Sequence, residues 1–217
     1  MQASEVRVSG WYGWAMDVGG YDPFAPGRFP VGVRTVHLQD RARGRLFPCE
    51  IWYPAQAKTA DPSPRRDAVA RGGAHPLIVF SHGSGLDRGS AAFLCTHLAS
   101  HGYVIAAMDH SDVVAQELAG PDGETDTERA ARIEAVISAR VPDVRFLLDQ
   151  LLGNGAHIGP EHIRLDKGRV GLVGHSFGGW TVLATTEADP RVRAVAALGP
   201  GGSALRGSRA RCARSTN

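Results

Sequence analysis

The chain has 217 residues and a formal net charge of +2, and its length suits one domain with a substantial hydrophobic core. Four arginines after residue 203 account for the positive excess. The rest of the chain has 20 basic and 22 acidic residues and shows no nucleic-acid-binding signature, and the basic tail is expected to be an unstructured end in preference to a binding arm. No stretch approaches 18 apolar residues and no basic segment precedes an apolar run, so neither a membrane span nor a secretory signal is expected.

The first part of the chain predicts strands separated by irregular segments. Residues 1–30 carry aromatic residues among glycines and prolines, which favours an irregular arm packed on the body. Strands are expected near 33–38 and 46–53 as an antiparallel pair, because an Arg/Gly turn separates them. Residues 54–75 are expected to form a surface loop, and a buried strand is predicted over 77–81.

A helix is predicted near 90–101, followed by a strand over 103–108. Ser90 is the expected N-cap of this helix, and Gly102 is the expected stop at its C-terminus. The apolar side chains expected on its buried face are Phe93, Leu94 and Leu98.

The second part of the chain alternates between helix and strand patterns. Thr125 and Glu128 have the spacing of a capping box that opens a helix, and Pro142 is predicted to end this helix and begin another. Further on, the sequence predicts a strand over 169–173, a helix over 177–188 and a strand over 193–198. This alternation predicts an α/β fold with a mostly parallel sheet and helices on both faces.

The sequence GHSFGG at 174–179 has the form of a nucleophile elbow, the sharp strand-to-helix turn that presents a catalytic serine. Ser176 is therefore the candidate nucleophile. Acyl transfer also needs two N–H donors for the negative oxygen of the tetrahedral intermediate. The N–H of Phe177 is the first candidate, and the N–H of Ser84, in the glycine-containing loop after strand 77–81, is the second.

Simpler interpretations of both motifs stay open. The hexapeptide can be a glycine-rich turn with an idle serine, and the loop around Ser84 can be an ordinary tight turn. A bare Gly-x-Ser-x-Gly pattern is weak evidence, so the strand before it and the helix after it carry the interpretation.

Six segments in this order resemble the α/β-hydrolase superfamily, in its dienelactone-hydrolase-like and platelet-activating-factor-acetylhydrolase-like branch. They read VGVRTV at 31–36, IWYP at 51–54, FSHGSG at 80–85, LASHGYV at 98–104, VRFLLDQL at 144–151 and GHSFGG at 174–179. The resemblance runs from about residue 31 to residue 203. It implies a Ser-Asp-His esterase that uses no metal or organic cofactor and acts on acyl esters or lactones.

The sequence departs from this family after the elbow. The family's acid and histidine follow the serine, but none of the 41 residues after Ser176 is a histidine, and Gly199 stands where acetylhydrolase-like members have the acid. We therefore expect an incomplete α/β-hydrolase domain over 1–203, with the last two strand-helix units missing. A disordered basic tail is expected over 204–217.

Other polar residues have competing interpretations. The run Asp109-His110-Ser111-Asp112 resembles a metal cluster but lacks readable further ligands, and the family has a similar Asp-His pair without metal. His110 is also a candidate substitute base, because the loops at this edge of the sheet gather near the elbow. His82 and His175 are expected to shape the loop and the turn, and Asp189 is expected to be a helix-end residue.

These observations predict a serine hydrolase that acts on small acyl esters, lactones or short-chain phospholipid esters. Its activity is expected to be low or absent in this chain. Two alternatives are a non-catalytic binding or scaffold protein that retains the fold, and an incomplete product that hardly folds. The expected partner is a small-molecule ester, without nucleic acid, and the oligomeric state stays open. Three cysteines without metal or redox spacing favour free thiols and a cytoplasmic location.

Overall fold

Seven strands and three helices make up the computed structural model, which describes residue 22 and residues 24–56, 63–110, 122–153 and 163–201. The strands are β1 (Val31–Asp40), β2 (Arg45–Pro54), β3 (Arg65–Arg66), β4 (Gly73–Ser81), β5 (Val104–Met108), β6 (Ile163–His175) and β7 (Ala194–Leu198). The helices are α1 (Ala92–Ser100), α2 (Asp126–Leu152) and α3 (Phe177–Ala188).

All seven strands form one mixed sheet in the order β3-β1-β2-β5-β4-β6-β7. Strands β5, β4, β6 and β7 are parallel to one another, while β2 is antiparallel to both β1 and β5. Every residue of β5 is buried, which places this strand at the centre of the hydrophobic core. The carboxyl ends of β4, β5 and β6 therefore meet at one edge, where ligands bind in open α/β sheets.

The sheet is covered on both faces. One core joins apolar side chains of the sheet to α2 and α3, and a second core joins the opposite face to α1. The predicted α/β-hydrolase fold class, with a mostly parallel sheet between helices, is confirmed. None of the three described helices combines the length and the apolar character that a bilayer crossing requires.

Two details predicted for α1 are wrong. The residue at the N-cap is Ala91, which makes no side-chain cap bond, while the hydroxyl of Ser90 donates to the carbonyl of Asp87. Phe93 is 79 % exposed, because the face that packs on the sheet is formed by the smaller side chains Cys95 and Ala99. A helix with a narrow contact face can approach the sheet closely, and this explains why the larger side chain lies outside.

The predicted helix break at Pro142 is also wrong, because α2 runs through this residue without interruption. Its N-terminus does have the predicted capping box between Thr125 and Glu128. Pro142 is exposed, so the carbonyl that loses its helical hydrogen bond can be solvated. On either side of the proline, Arg140 and Asp143 are buried and held by contacts outside the helix.

The described residues of the segment 54–75, which are 54–56 and 63–75, differ from the predicted surface loop. The segment contains β3, which pairs with β1 through Arg65 and Arg66, and β4 begins within it at Gly73. Arg66 is held there by a hydrogen bond to the buried carboxylate of Glu50. Of the predicted aromatic arm 1–30, residue 22 and residues 24–30 are described, and Phe24 is 91 % exposed instead of packed on the body. The rest of the arm and the predicted tail 204–217 lie outside the described residues.

Candidate active site

The elbow at Ser176 is a strained turn between β6 and α3. Ser176 occupies the N-cap of α3 with φ +53° and ψ −118°, and it is one of two non-glycine residues with positive φ in the described part of the chain. A side chain in this left-handed region costs on the order of 1 kcal/mol, and such strain clusters at functional sites. The backbone therefore turns sharply at the residue that the sequence singled out as the nucleophile.

Two glycines allow this turn to pack tightly. A Cβ added to Gly174 would lie 2.1 Å from the carbonyl oxygen of Gly178, so any side chain there would collide with the first turn of α3. A Cβ added to Gly178 would lie 2.0 Å from the carbonyl oxygen of Ser81 at the end of β4. The start of α3 thus lies directly against the backbone of the neighbouring strand.

The loop after β4 lies beside the nucleophile candidate. A Cβ added to Gly83 would lie 3.2 Å from Cβ of Ser176, which brings this loop and the elbow into contact. Ser84 follows on the exposed side of the loop, while Phe177 is buried at the start of α3. Within the described part of the chain, the hydroxyl of Ser176 has no hydrogen-bond partner.

A buried Ser-His-Asp series, which does not include Ser176, lies beneath this loop. The ring Nε2 of His110 lies 2.8 Å from Oγ of Ser81, and its Nδ1 lies 3.4 Å from Oδ2 of Asp143. Ser81 and Asp143 are 0 % exposed and His110 is 2 % exposed, so no substrate can reach this series. Both ring nitrogens of His110 are occupied, which argues against the interpretation of His110 as a substitute base for Ser176.

Both ring nitrogens of His82 are also engaged in hydrogen bonds. Its Nδ1 lies 2.8 Å from the carbonyl oxygen of Gly83, and its Nε2 accepts the backbone N–H of His110 at 3.3 Å. The two imidazoles also meet edge to face, with ring centroids 5.2 Å apart. His82 therefore braces the loop that carries Ser84.

Asp143 is the anionic centre of this buried region. Its carboxylate accepts hydrogen bonds from Arg43 at 2.7 Å and Arg45 at 3.0 Å. Burial raises the pKa of Asp143 to about 7, and this desolvation outweighs the opposing effect of the nearby guanidinium groups. Sequence reasoning missed this group. The only signal available was a pair of charged residues, Arg140 and Asp143, spaced one helical turn apart beside an apolar stripe.

The buried histidines make the stability of the fold sensitive to acid. Burial lowers the pKa of His82 to about 4 and the pKa of His110 well below its ordinary value. Both rings are neutral in the fold and gain a proton on unfolding below about pH 6.5, so their contribution is lost as the pH falls. Asp143 acts in the opposite sense, because its raised pKa makes unfolding release a proton between about pH 4 and pH 7.

Two protons are taken up on unfolding against one released, so we expect the free energy of unfolding to fall by about 2 kcal/mol from pH 6.5 to pH 4.5. Urea denaturation at the two pH values measures this difference. His82→Gln should make the decrease smaller, while the same substitution at His37, which is exposed, should leave it unchanged. An equal decrease in all three proteins would contradict a neutral, buried His82.

Among the remaining sequence candidates, Asp109 and Asp189 are held by arginines, whereas His175 and Gly199 lie close to the elbow. Asp109 accepts the backbone N–H of Arg88 at 2.7 Å and also pairs with its guanidinium. Asp189 is the C-cap of α3 and is bonded to Arg191. His175 is exposed beside the elbow, and Gly199 follows β7 with φ +50°. Ser111 and Asp112 lie outside the described residues.

Comparison with known proteins agrees with this architecture. A sequence profile for "Platelet-activating factor acetylhydrolase, isoform II" matches residues 55–129. The chain is 29 % identical over 175 residues to the platelet-activating factor acetylhydrolase of Cavia porcellus, a match that covers 64 % of this chain and 38 % of that protein. It is 30 % identical over 126 residues to a probable 1-alkyl-2-acetylglycerophosphocholine esterase of Arthroderma benhamiae, covering 55 % and 30 % of the two chains.

A solved structure is similar over a longer part of the chain. The ferulic acid esterase from Streptomyces cinnamoneus aligns with a TM-score of 0.60 and 30 % identity, covering 78 % of this chain and 59 % of that one. The chain spans between 30 % and 38 % of the length of the two curated relatives named above.

Proposed function

We propose that the chain is a member of the α/β-hydrolase superfamily, in the platelet-activating-factor-acetylhydrolase-like branch that it resembles in sequence and fold, and that it carries the nucleophile and oxyanion hole of a serine esterase. Ser176 is the nucleophile, and the N–H groups of Phe177 and Ser84 receive the negative oxygen of the tetrahedral intermediate. The positive φ of Ser176, at the junction of β6 and α3, is the observation that carries the proposal. The substrate class is a carboxylic ester with a small acyl group, a lactone or a short-chain phospholipid ester.

The proposed reaction begins when Oγ of Ser176 attacks the ester carbonyl and its proton passes to a base. The carbonyl oxygen gains negative charge, which pre-aimed N–H groups stabilise in a water-poor site. Collapse of the intermediate expels the alcohol and leaves an acyl-serine, which water then hydrolyses. In the described residues, the nearby histidines His82 and His110 are fully engaged in the loop below, so neither is available to take the proton.

This arrangement predicts weak catalysis by the chain on its own. An oxyanion hole and substrate binding alone leave roughly 10³-fold catalysis over water when a triad member is missing. Hydrolysis of p-nitrophenyl acetate is therefore expected to be slow, and Ser176→Ala should change this slow rate little, because residual catalysis of this kind does not need the nucleophile. Ordinary esterase rates that depend on Ser176 would support the function but show that the chain does contain an effective base.

Covalent labelling tests the nucleophile directly. A fluorophosphonate probe should modify Ser176 slowly, which mass spectrometry of the digested protein can locate. Ser176→Ala should remove the label. Ser90→Ala should keep it, because Ser90 lies in the loop before α1 and bonds only to Asp87. If the probe does not react while a small ester binds equally well to the wild type and to Ser176→Ala, the chain is a binding protein and the proposal is wrong.

A further inference from the structure

One buried cation contacts both segments that carry the candidate oxyanion donors. Arg140 of α2 is 1 % exposed, and its Nη1 donates to the carbonyl oxygen of His82 at 3.0 Å. Its guanidinium carbon also lies 4.5 Å from the ring centroid of Phe177. His82 lies two residues before Ser84 in the loop after β4, and Phe177 opens α3. A single side chain therefore bridges two strand ends that are separate in sequence.

The backbone contact between α3 and the end of β4 does not fix the orientation of the loop peptide after His82, and Arg140 can fix it. The close approach of Gly178 to Ser81 sets how near α3 lies to β4. It does not set which way the His82–Gly83 peptide faces, because a glycine follows His82. The next peptide, which carries the N–H of Ser84, is held at its carbonyl by Nδ1 of His82. A planar guanidinium that donates to the carbonyl of His82 and lies over the ring of Phe177 fixes this peptide relative to the start of α3.

Simple packing is a poor explanation for this residue. A buried guanidinium carries a desolvation cost of several kcal/mol, and an apolar side chain of similar volume is often as stabilising or more so. Arg140 is close enough to Asp143, three residues further along α2, for the two charges to interact, and the carboxylate itself is hydrogen-bonded to Arg43 and Arg45. The fold therefore retains a cation and its counter-charge beside the elbow.

We infer that Arg140 is a positioning residue for the oxyanion hole, holding the loop N–H of Ser84 and the N–H of Phe177 toward one point. The inference rests on the proposed function of the elbow. Donors that are fixed before the reaction need no reorganisation when the carbonyl oxygen becomes negative, and a nearby buried positive charge favours that oxygen further. Arg140 touches neither the substrate nor Ser176 in this role and acts through the two backbone segments.

Substitutions at Arg140 separate positioning from packing. Arg140→Met keeps much of the volume and removes the charge and the donor, while Arg140→Lys keeps the charge and one donor. We expect the rate of fluorophosphonate labelling, and kcat for p-nitrophenyl acetate, to fall about 100-fold in Arg140→Met with KM changed less than about twofold. Arg140→Lys should recover part of that loss. Arg145→Met is the matched control, because Arg145 is an exposed arginine on the same helix.

All rates are compared at a temperature well below the melting temperature of each variant, and Arg140→Lys is used alone if Arg140→Met does not fold. Equal labelling rates in the wild type and the Arg140 variants would overturn the inference. So would a loss in Arg140→Met that appears only as a raised KM.

If the wild type does not react at all, the proposed function is rejected. The positioning role of Arg140 is then tested by hydrogen exchange. The amide of Leu86 donates to the carbonyl of Gly83 at 3.3 Å, and the amide of Trp180 donates to the carbonyl of Ser176 at 3.2 Å. Hydrogen exchange at both amides should become faster in Arg140→Lys, while exchange in the last two turns of α2 stays as in the wild type. Unchanged exchange at both amides would overturn the positioning role.

Discussion

Gly178→Ala is expected to lower the free energy of unfolding by about 3 kcal/mol and to abolish the reactivity proposed for Ser176. The added methyl group would meet backbone atoms of Ser81 at 2.0 and 2.5 Å and the carbonyl oxygen of His82 at 2.6 Å. No side-chain rotation relieves such a contact, because all three atoms belong to the main chain. Strand β4 and helix α3 must separate, and the candidate oxyanion donors separate with them.

Gly171→Ala provides the matched control for this prediction. Gly171 lies in β6, five residues before Ser176, and a Cβ added there would meet its nearest atoms at 3.7 Å, an ordinary van der Waals distance. We expect a change within about 0.5 kcal/mol at this position. Urea denaturation of the three proteins measures both effects. If the Gly178→Ala protein were as stable as the Gly171→Ala protein, helix α3 would not lie as close to the backbone of β4 as described.

At pH 8, above the pKa of about 7 of its carboxyl group, Asp143→Ala is expected to lower the free energy of unfolding by about 3–5 kcal/mol, because it leaves buried positive charge without its counter-ion. The carboxylate is 0 % exposed and binds Arg43 and Arg45, and His110 loses its partner in the same substitution. The loss should appear as a lower denaturation midpoint.

Asp149→Ala tests whether burial is the reason for that loss. Asp149 lies on the same helix and pairs with Arg191 at 2.7 Å, but its side chain is 63 % exposed. Surface ion pairs contribute about 0–1 kcal/mol, so this variant should remain close to the wild type. Similar losses in the two alanine variants would contradict the description of Asp143 as a buried anionic centre.

The fold could be predicted from the sequence because its signals are local. Short apolar runs that end in glycine-containing turns predicted β4 and β6, and the apolar run after Gly102 predicted β5. The motif at 174–179 predicted the start of α3 at its observed residue. The errors occurred where tertiary contacts outweigh local preference. Pro142 does not end α2, because buried contacts on both sides of the proline hold the helix together.

The polar region beneath the elbow could not be predicted for a different reason. Ser81, His110, Arg140 and Asp143 come from two strand ends and a helix, and each is an ordinary residue in its own segment. Only the parallel arrangement of β4 and β5, with α2 packed across them, brings these side chains together. His110 illustrates the consequence, since its position near the elbow was predicted but its engagement with Ser81 and Asp143 was not.

The contacts around Asp143 and Arg140 also order the events of folding. Arg43 and Asp143 are 100 residues apart in the chain, and Arg140 and His82 are 58 apart. Such contacts require long loops to close, and the entropy of closure is lost before the contacts return any free energy. We therefore expect the turn at Ser176 to acquire its final surroundings late, after the sheet has formed and α2 has docked, so that Arg140 substitutions change the unfolding rate more than the folding rate.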